Sequence, residues 1–119
     1  SLFSNLYYYA DGKPVATEAT EAENKELLTR VYLGLFNDKN LSLIDTYIDI
    51  PYIQHNPFVY DGREAFRTFV RSRTAGGLSF FATVAGDDLV WTFSGDGRLT
   101  VADIFRVHNK KIVEHWDVF

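Results

Sequence analysis

Apolar residues recur in two rhythms along this chain, and the change from one to the other near residue 78 divides it. Before that point the spacing is helical. Leu27, Leu28, Val31, Tyr32, Leu35 and Phe36 come in pairs every four residues and share one face, while Glu23, Lys25, Glu26, Arg30 and Asp38 occupy the remainder. Thr20 and Glu23 have the spacing of a capping box, so a helix is expected from about Thr20 to Asn37. Leu41, Ile44, Tyr47 and Ile48 repeat the pattern over a shorter stretch, which must stop before Pro51 because the residue preceding a proline is pushed out of helical geometry. Tyr52 to His55 reads as extended and is closed by Asn56-Pro57. A third helix is expected from Arg63 to Arg73, with Phe66, Phe69 and Val70 on one side.

From Leu78 the period falls to two: Leu78, Phe80, Ala82, Val84; then Leu89, Trp91, Phe93; then Leu99, Val101, Asp103, Phe105, Val107; then a last run from Ile112. Gly86-Asp87-Asp88, Ser94-Gly95-Asp96-Gly97 and His108-Asn109-Lys110 are the turn signals between them. Three helices followed by four antiparallel strands predict an α+β domain with helices covering one face of a curved sheet. The first nineteen residues, with a Tyr7-Tyr8-Tyr9 run and Asp11-Gly12, sustain neither rhythm and read as an irregular arm before a single domain over 20–119.

Composition narrows the function. A length of 119 residues suits one core, and a 16% aromatic share makes that core aromatic. The net charge of −4 repels polyphosphate and anionic membranes, so no nucleic-acid or membrane partner is expected. With no Cys, thiol catalysis, disulfides and thiolate metal sites are excluded, and three dispersed His leave little for zinc. No apolar run reaches the roughly 18 to 20 residues of a membrane span, and no basic-then-apolar leader opens the chain; a cytoplasmic location is expected over a secreted one. The chain opens at Ser1 and lacks Met, from which a trimmed or processed initiator end is expected.

Asp103 is the most informative residue, because Leu99, Val101, Phe105 and Val107, its alternation partners, are all apolar. A carboxylate on a core face must be paired, hydrogen-bonded, solvated by a pocket or protonated. Desolvation would raise its pKa toward the range a general acid or base needs; the alternative is a structural acid satisfied by its neighbours. Its partners depend on the register of the last hairpin. If His108-Asn109-Lys110 is a three-residue loop, Asp103 lies opposite His115, with Asp117 on the same face and Arg106 in diagonal reach of Glu114. If Asn109-Lys110 is a two-residue loop, Glu114 and Trp116 take that face and His115 turns outward. The second register separates apolar from polar residues more cleanly, and hydrophobicity alone does not choose.

The strings Tyr52-Ile53-Gln54-His55-Asn56-Pro57 with Asp61-Gly62, and Asp103-Ile104-Phe105-Arg106-Val107 with Lys111-Ile112-Val113-Glu114-His115-Trp116-Asp117, resemble SnoaL-like proteins of the nuclear-transport-factor-2-like (NTF2-like) superfamily over residues 22–119. The resemblance implies a cystatin-like cone, in which a strongly bent antiparallel sheet wraps the N-terminal helices and encloses a pocket. It also implies a three-residue loop with a bulge, which favours the first register, although Asn109-Lys110-Lys111 replaces the usual Asp-Gly-Lys and puts a Lys where positive φ is expected. The cyclases that name the group perform an aldol condensation without metal or cofactor, and relatives isomerise ketosteroids, hydrolyse epoxides or only bind ligands.

On this basis Asp103, His55, His115 and Asp117 are expected to converge in the pocket as the catalytic group, with Phe105, Trp91, Tyr52, Tyr32, Phe36 and Phe66 as its substrate-binding wall. No cofactor and no metal are expected, although His55, His115 and Asp103 could imitate a facial metal triad. The expected function is cofactor-independent acid–base chemistry of the cyclase, lyase or isomerase type on a small, largely apolar carbonyl compound; the alternative is a non-catalytic small-molecule-binding or dimerisation module. Ile104, Val90, Phe81 and Trp116 are expected on an outer sheet face that forms a homodimer. Arg63, Arg67 and Arg71, with Arg73 nearby, form a basic stripe that reads as a solvated face or as a phosphate-binding edge.

Overall fold

The computed structural model describes residues 18–95 and 100–118; residues 1–17 of the expected arm, and Asp96 and Gly97 of the Ser94 to Gly97 turn, lie outside them. The elements are α1 (Glu18–Phe36), α2 (Ser42–Tyr47), β1 (Ile48–Gln54), α3 (Arg63–Ser72), β2 (Phe80–Gly86), β3 (Leu89–Gly95), β4 (Thr100–His108) and β5 (Lys111–Val118). This is the expected α+β order. Helix α1 begins two residues before Thr20, so Thr20 and Glu23 lie inside it and not at its cap. Its Leu27, Leu28, Val31, Tyr32 and Leu35 are buried against Val90, Phe105, Val107 and Ile112 of the sheet. Each such side chain contributes about 1.5–3 kcal/mol of burial. Gly34 lets α1 approach α2: a Cβ there would stand 2.6 Å from Leu43 Cδ1.

The sheet is curved and open, in the order β1-β5-β4-β3-β2. Strands β2 to β5 form the expected antiparallel meander, but β1 pairs with β5 in parallel, which corrects the wholly antiparallel sheet. A parallel neighbour needs a long crossover, and α3 with the meander supplies it. Pro51 fits within β1 because this is an edge strand, where a missing N–H removes no ladder bond.

Strand β3 corrects a second expectation. Leu89, Trp91 and Phe93 stand opposite Arg106, Ile104 and Ala102 on the outer face, while Val90 and Thr92 face the helices and are fully buried. Both faces of β3 are apolar enough for the alternation to leave its direction open. Trp91 therefore points away from the pocket it was expected to line. Of the four residues expected on an exposed outer face, Val90 is in the core, Ile104 and Trp116 are 1% and 3% exposed within the single chain, and only Phe81, at 64%, is open. The basic stripe is largely structural: Arg63 donates from Nε and Nη2 to the Ile48 carbonyl at 3.0 and 2.8 Å, and Arg67 pairs with Glu64 and Asp45.

The last hairpin matches neither register. Asn109 and Lys110, at φ 51° and 62°, form a two-residue turn that pairs His108 with Lys111 and Val107 with Ile112. The ladder then shifts, so Arg106 faces Glu114 and Val113 is the extra residue of a bulge. A primed two-residue turn needs left-handed backbone at both positions, and a Lys there is strained by about 1–2 kcal/mol. Lys110→Gly is expected to stabilise the protein by about 0.5–1 kcal/mol after glycine's own entropic cost, seen as a higher urea midpoint at unchanged m value.

Candidate active site

Two-residue turn plus bulge moves every residue beyond Val113 by one position. Asp103 then stands directly opposite Asp117, and His115 opposite Phe105, all four on the face toward the helices. The face of the first register is thus realised through the turn of the second. On the opposite face, Arg106 donates from Nε to Glu114 Oε1 at 3.1 Å and from Nη1 to Asp88 Oδ2 at 2.7 Å. Arg106 and Glu114 are both buried.

The His115 imidazole joins three side chains. Its Nε2 lies 2.9 Å from Asp103 Oδ1 and 3.0 Å from Asp117 Oδ1, and its Nδ1 lies 2.5 Å from Gln54 Oε1. These partners offer acceptor oxygens to both ring nitrogens, an arrangement that favours the imidazolium. Burial alone would lower the His115 pKa, but the hydrogen bonds to Asp103 and Asp117 outweigh it and hold the pKa above the ordinary histidine value. The two carboxylates are driven apart. Burial, with a contribution from Asp117, raises Asp103, whereas for Asp117 the hydrogen bonds from His115, Asp103 and Asn56 overcome burial and keep it below the usual carboxylate value. Phe105 stacks on the imidazole at 4.7 Å and fixes its plane.

Strand β1 and the loop after it position the rest. Gln54 pairs with His115 across the β1–β5 ladder. The Asp61 carboxylate accepts the Gln54 amide N–H at 2.7 Å, and the Gly62 N–H donates to the Tyr52 carbonyl at 2.7 Å, which folds the Asn56 to Gly62 loop back on its strand. Gly62, at φ 102°, takes a conformation that favours glycine there. Asn56 Oδ1 accepts the Phe58 N–H at 2.8 Å, leaving its amide NH2 for Asp117.

The group closes one end of a cavity of about 370 Å³, within the range of small-molecule sites. Tyr32, Phe36, Val59, Phe66, Leu78 and Phe80 form its apolar wall, and Gln54, Asn56, Asp103, His115 and Asp117 its polar end. Tyr32, Phe36 and Phe66 thus lie where the sequence places them. Tyr52 and Phe105 sit in the core behind the wall, with the Tyr52 and Tyr32 hydroxyls 3.4 Å apart. Burial raises the pKa of both tyrosines, so both stay protonated.

His55 is the residue of the expected cluster that the structure places elsewhere. It follows Gln54 and therefore faces the other way: its Nε2 donates to Glu114 Oε2 at 2.8 Å and its ring stacks on Trp116 at 4.7 Å. Gln54 and Asn56 take the inward places in the same string. Sequence reasoning nominated neither, although Gln54 is two residues from Tyr52 and so shares its face. Asp103, His115 and Asp117 offer one nitrogen and two oxygens within 4.8 Å of one another, a donor set that could hold a divalent ion in place of the imidazolium proton.

Solved structures carry the same architecture. An NTF-2 like protein of unknown function from Burkholderia xenovorans superposes with a TM-score of 0.67 at 15% identity, covering 83% of this chain and 84% of that one. The fold is NTF2-like. Other NTF2-like matches include an LEH-like epoxide hydrolase of M. tuberculosis (TM-score 0.65, 16% identity, 82% of each chain) and a protein of Acidithiobacillus ferrooxidans provisionally assigned as a polyketide cyclase (0.66, 14%, 81% and 87%). No family model matches the sequence, and no curated protein is significantly similar to it. Within the NTF2-like frame, and among the described residues, no helix is long and apolar enough to cross a membrane.

Two outcomes are expected from this geometry. Asp117→Asn removes an anionic acceptor from Nε2, so the His115 pKa should fall, seen in an imidazole NMR titration; an unchanged value would contradict the shared-proton arrangement. Arg106→Met leaves Glu114 buried beside an uncharged side chain and should cost about 3–5 kcal/mol, much of it recovered by adding Glu114→Leu, as measured by urea unfolding.

Proposed function

We propose that the protein is a cofactor-independent acid–base enzyme that removes a proton next to the carbonyl of a small, largely apolar compound. The observation that supports this is the placement of two carboxylates, bridged by one imidazole and shifted in opposite directions in pKa, in the lining of a largely apolar cavity. His115 has both nitrogens engaged, which makes it a positioning residue and proton reservoir. Asp103, with its pKa raised by burial, is the base; its conjugate acid can donate to Asp117. Asp117 stays ionised and holds His115 protonated. As negative charge grows on the carbonyl oxygen, the Asn56 amide and Tyr32 hydroxyl are the donors in the lining that can meet it. His55 has no part in this scheme. The NTF2-like neighbours include an epoxide hydrolase, so the fold accommodates chemistry of more than one kind.

The test is α-proton exchange of small aryl and alkyl ketones in D2O, followed by NMR, with and without a chelator. Asp103→Asn keeps the shape and removes the acceptor, so exchange should fall about a hundredfold or more with binding retained. Exchange unchanged in that variant, or lost on adding the chelator, would overturn the assignment. The pH profile should be bell-shaped. Its acid limb should lie above the ordinary carboxylate value, where Asp103 ionises, and its alkaline limb above the ordinary histidine value, where His115 loses its proton.

A further inference from the structure

The cavity lining holds polar groups of two kinds among its apolar residues. Opposite in character to the buried acidic group is a rim made by the loop from α3 to β2, where Arg73, Thr74, Gly76 and Gly77 line the cavity and are solvent-exposed. Arg73 is the one Lys or Arg among the described lining residues. Among the described residues it forms no ion pair, in contrast to Arg30, Arg67 and Arg106. Its guanidinium lies over the Phe69 ring at 5.4 Å, a ring that also lines the cavity.

The loop that carries it is tied down at several points. Arg73 N–H donates to the Val70 carbonyl at 3.1 Å and Gly76 N–H to the Phe36 carbonyl at 2.9 Å. The Asn37 amide clamps Leu78 from both sides, donating to its carbonyl at 2.8 Å and accepting its N–H at 2.9 Å. Gly76 and Gly77, at φ 93° and 87°, turn the backbone there, and nothing lies within 4 Å of the position of a Cβ on either. The rim therefore presents a cation without an ionic partner among the described residues, held by a backbone already bonded at both ends.

Building on the acid–base reading of the polar end, we propose that the ligand is an anionic carbonyl compound, its carbonyl against Asp103 and Asp117 and a carboxylate at its far end on Arg73. A guanidinium fork matches a carboxylate with two parallel hydrogen bonds, and a ring beneath it restricts its orientation. The net charge of −4 disfavours anions at long range, so a preference for one must come from this local contact. The apolar lining, with Phe36, Phe66 and Phe80, suits an aryl or alkyl body between those two groups of the ligand.

The test compares 4-oxo-4-phenylbutanoate with its methyl ester, which differ in the charge at one end, by NMR titration at low ionic strength. The acid should bind about three- to fivefold more tightly than the ester, the gain of a solvent-accessible ion pair, and the ratio should shrink in high salt. Arg73→Gln should bring the ratio to one, and Arg73→Lys should keep part of it. Arg71→Gln, an exposed neighbour outside the cavity lining, should leave it unchanged. Equal or tighter binding of the ester to the unaltered protein, a ratio that survives Arg73→Gln, or no binding of either compound would overturn the proposal. The ratio is independent of turnover: a protein that shows it yet exchanges no protons would retain the anionic ligand and lose the enzymatic reading.

Discussion

Everything at the polar end of the cavity depends on one backbone irregularity, the extra residue at Val113. Strand side chains alternate, so a hairpin slip of one residue exchanges the two faces of β5. The two-residue turn alone would have sent Glu114 and Trp116 toward the helices and His115 toward the outside. The bulge reverses that assignment. What holds it is charge: with Val113 taken up, Arg106 and Glu114 come opposite one another, and this pair is buried with Asp88 and His55 as further partners. A buried ion pair adds little stability relative to apolar packing, but a register that separates its members leaves two uncompensated charges. The outer-face network thereby discriminates against the slipped hairpin, and the inner-face group follows from it.

Helices, strand order in the meander and the turn positions were legible because each rests on a local signal: paired apolar residues every four positions in α1, alternation after residue 78, and Gly, Asn or Asp at the turns. Asp103 could be singled out because a carboxylate among Val101, Phe105 and Val107 contradicts the local pattern. His115 and Asp117 were harder to assign, since their orientation depends on a bulge that leaves no compositional trace. Val113 is an ordinary strand residue. The clue was the opposition of Arg106 and Glu114, a relation between strands.

His55 and Trp91 show the other limit. Both lie beside residues that do face the cavity or core, and each has a side chain suited to a site, although neither side chain enters the cavity lining. Alternation along β1 gives Tyr52 and Gln54 one face and Ile53 and His55 the other, and that periodicity was the better guide. For β3 it decided nothing, because Val90 and Trp91 are both at home in a core. The parallel pairing of β1 with β5 was likewise beyond local signals, which describe an element and not its neighbour.

The two ends of the cavity come from parts of the chain under very different constraint. Asp103, His115 and Asp117 sit on central strands whose positions are interlocked through the ladder, so an insertion or deletion in β4 or β5 would rearrange all three. Arg73 to Gly77 belong to a connection anchored at Arg73, Gly76 and Leu78 but not paired with any strand. Its residues take no part in the ladder that sets strand register. Such a division separates two kinds of tolerance in one cavity: its wall at the loop can vary in shape, while its wall at the strands is fixed by the pairing of β4 with β5.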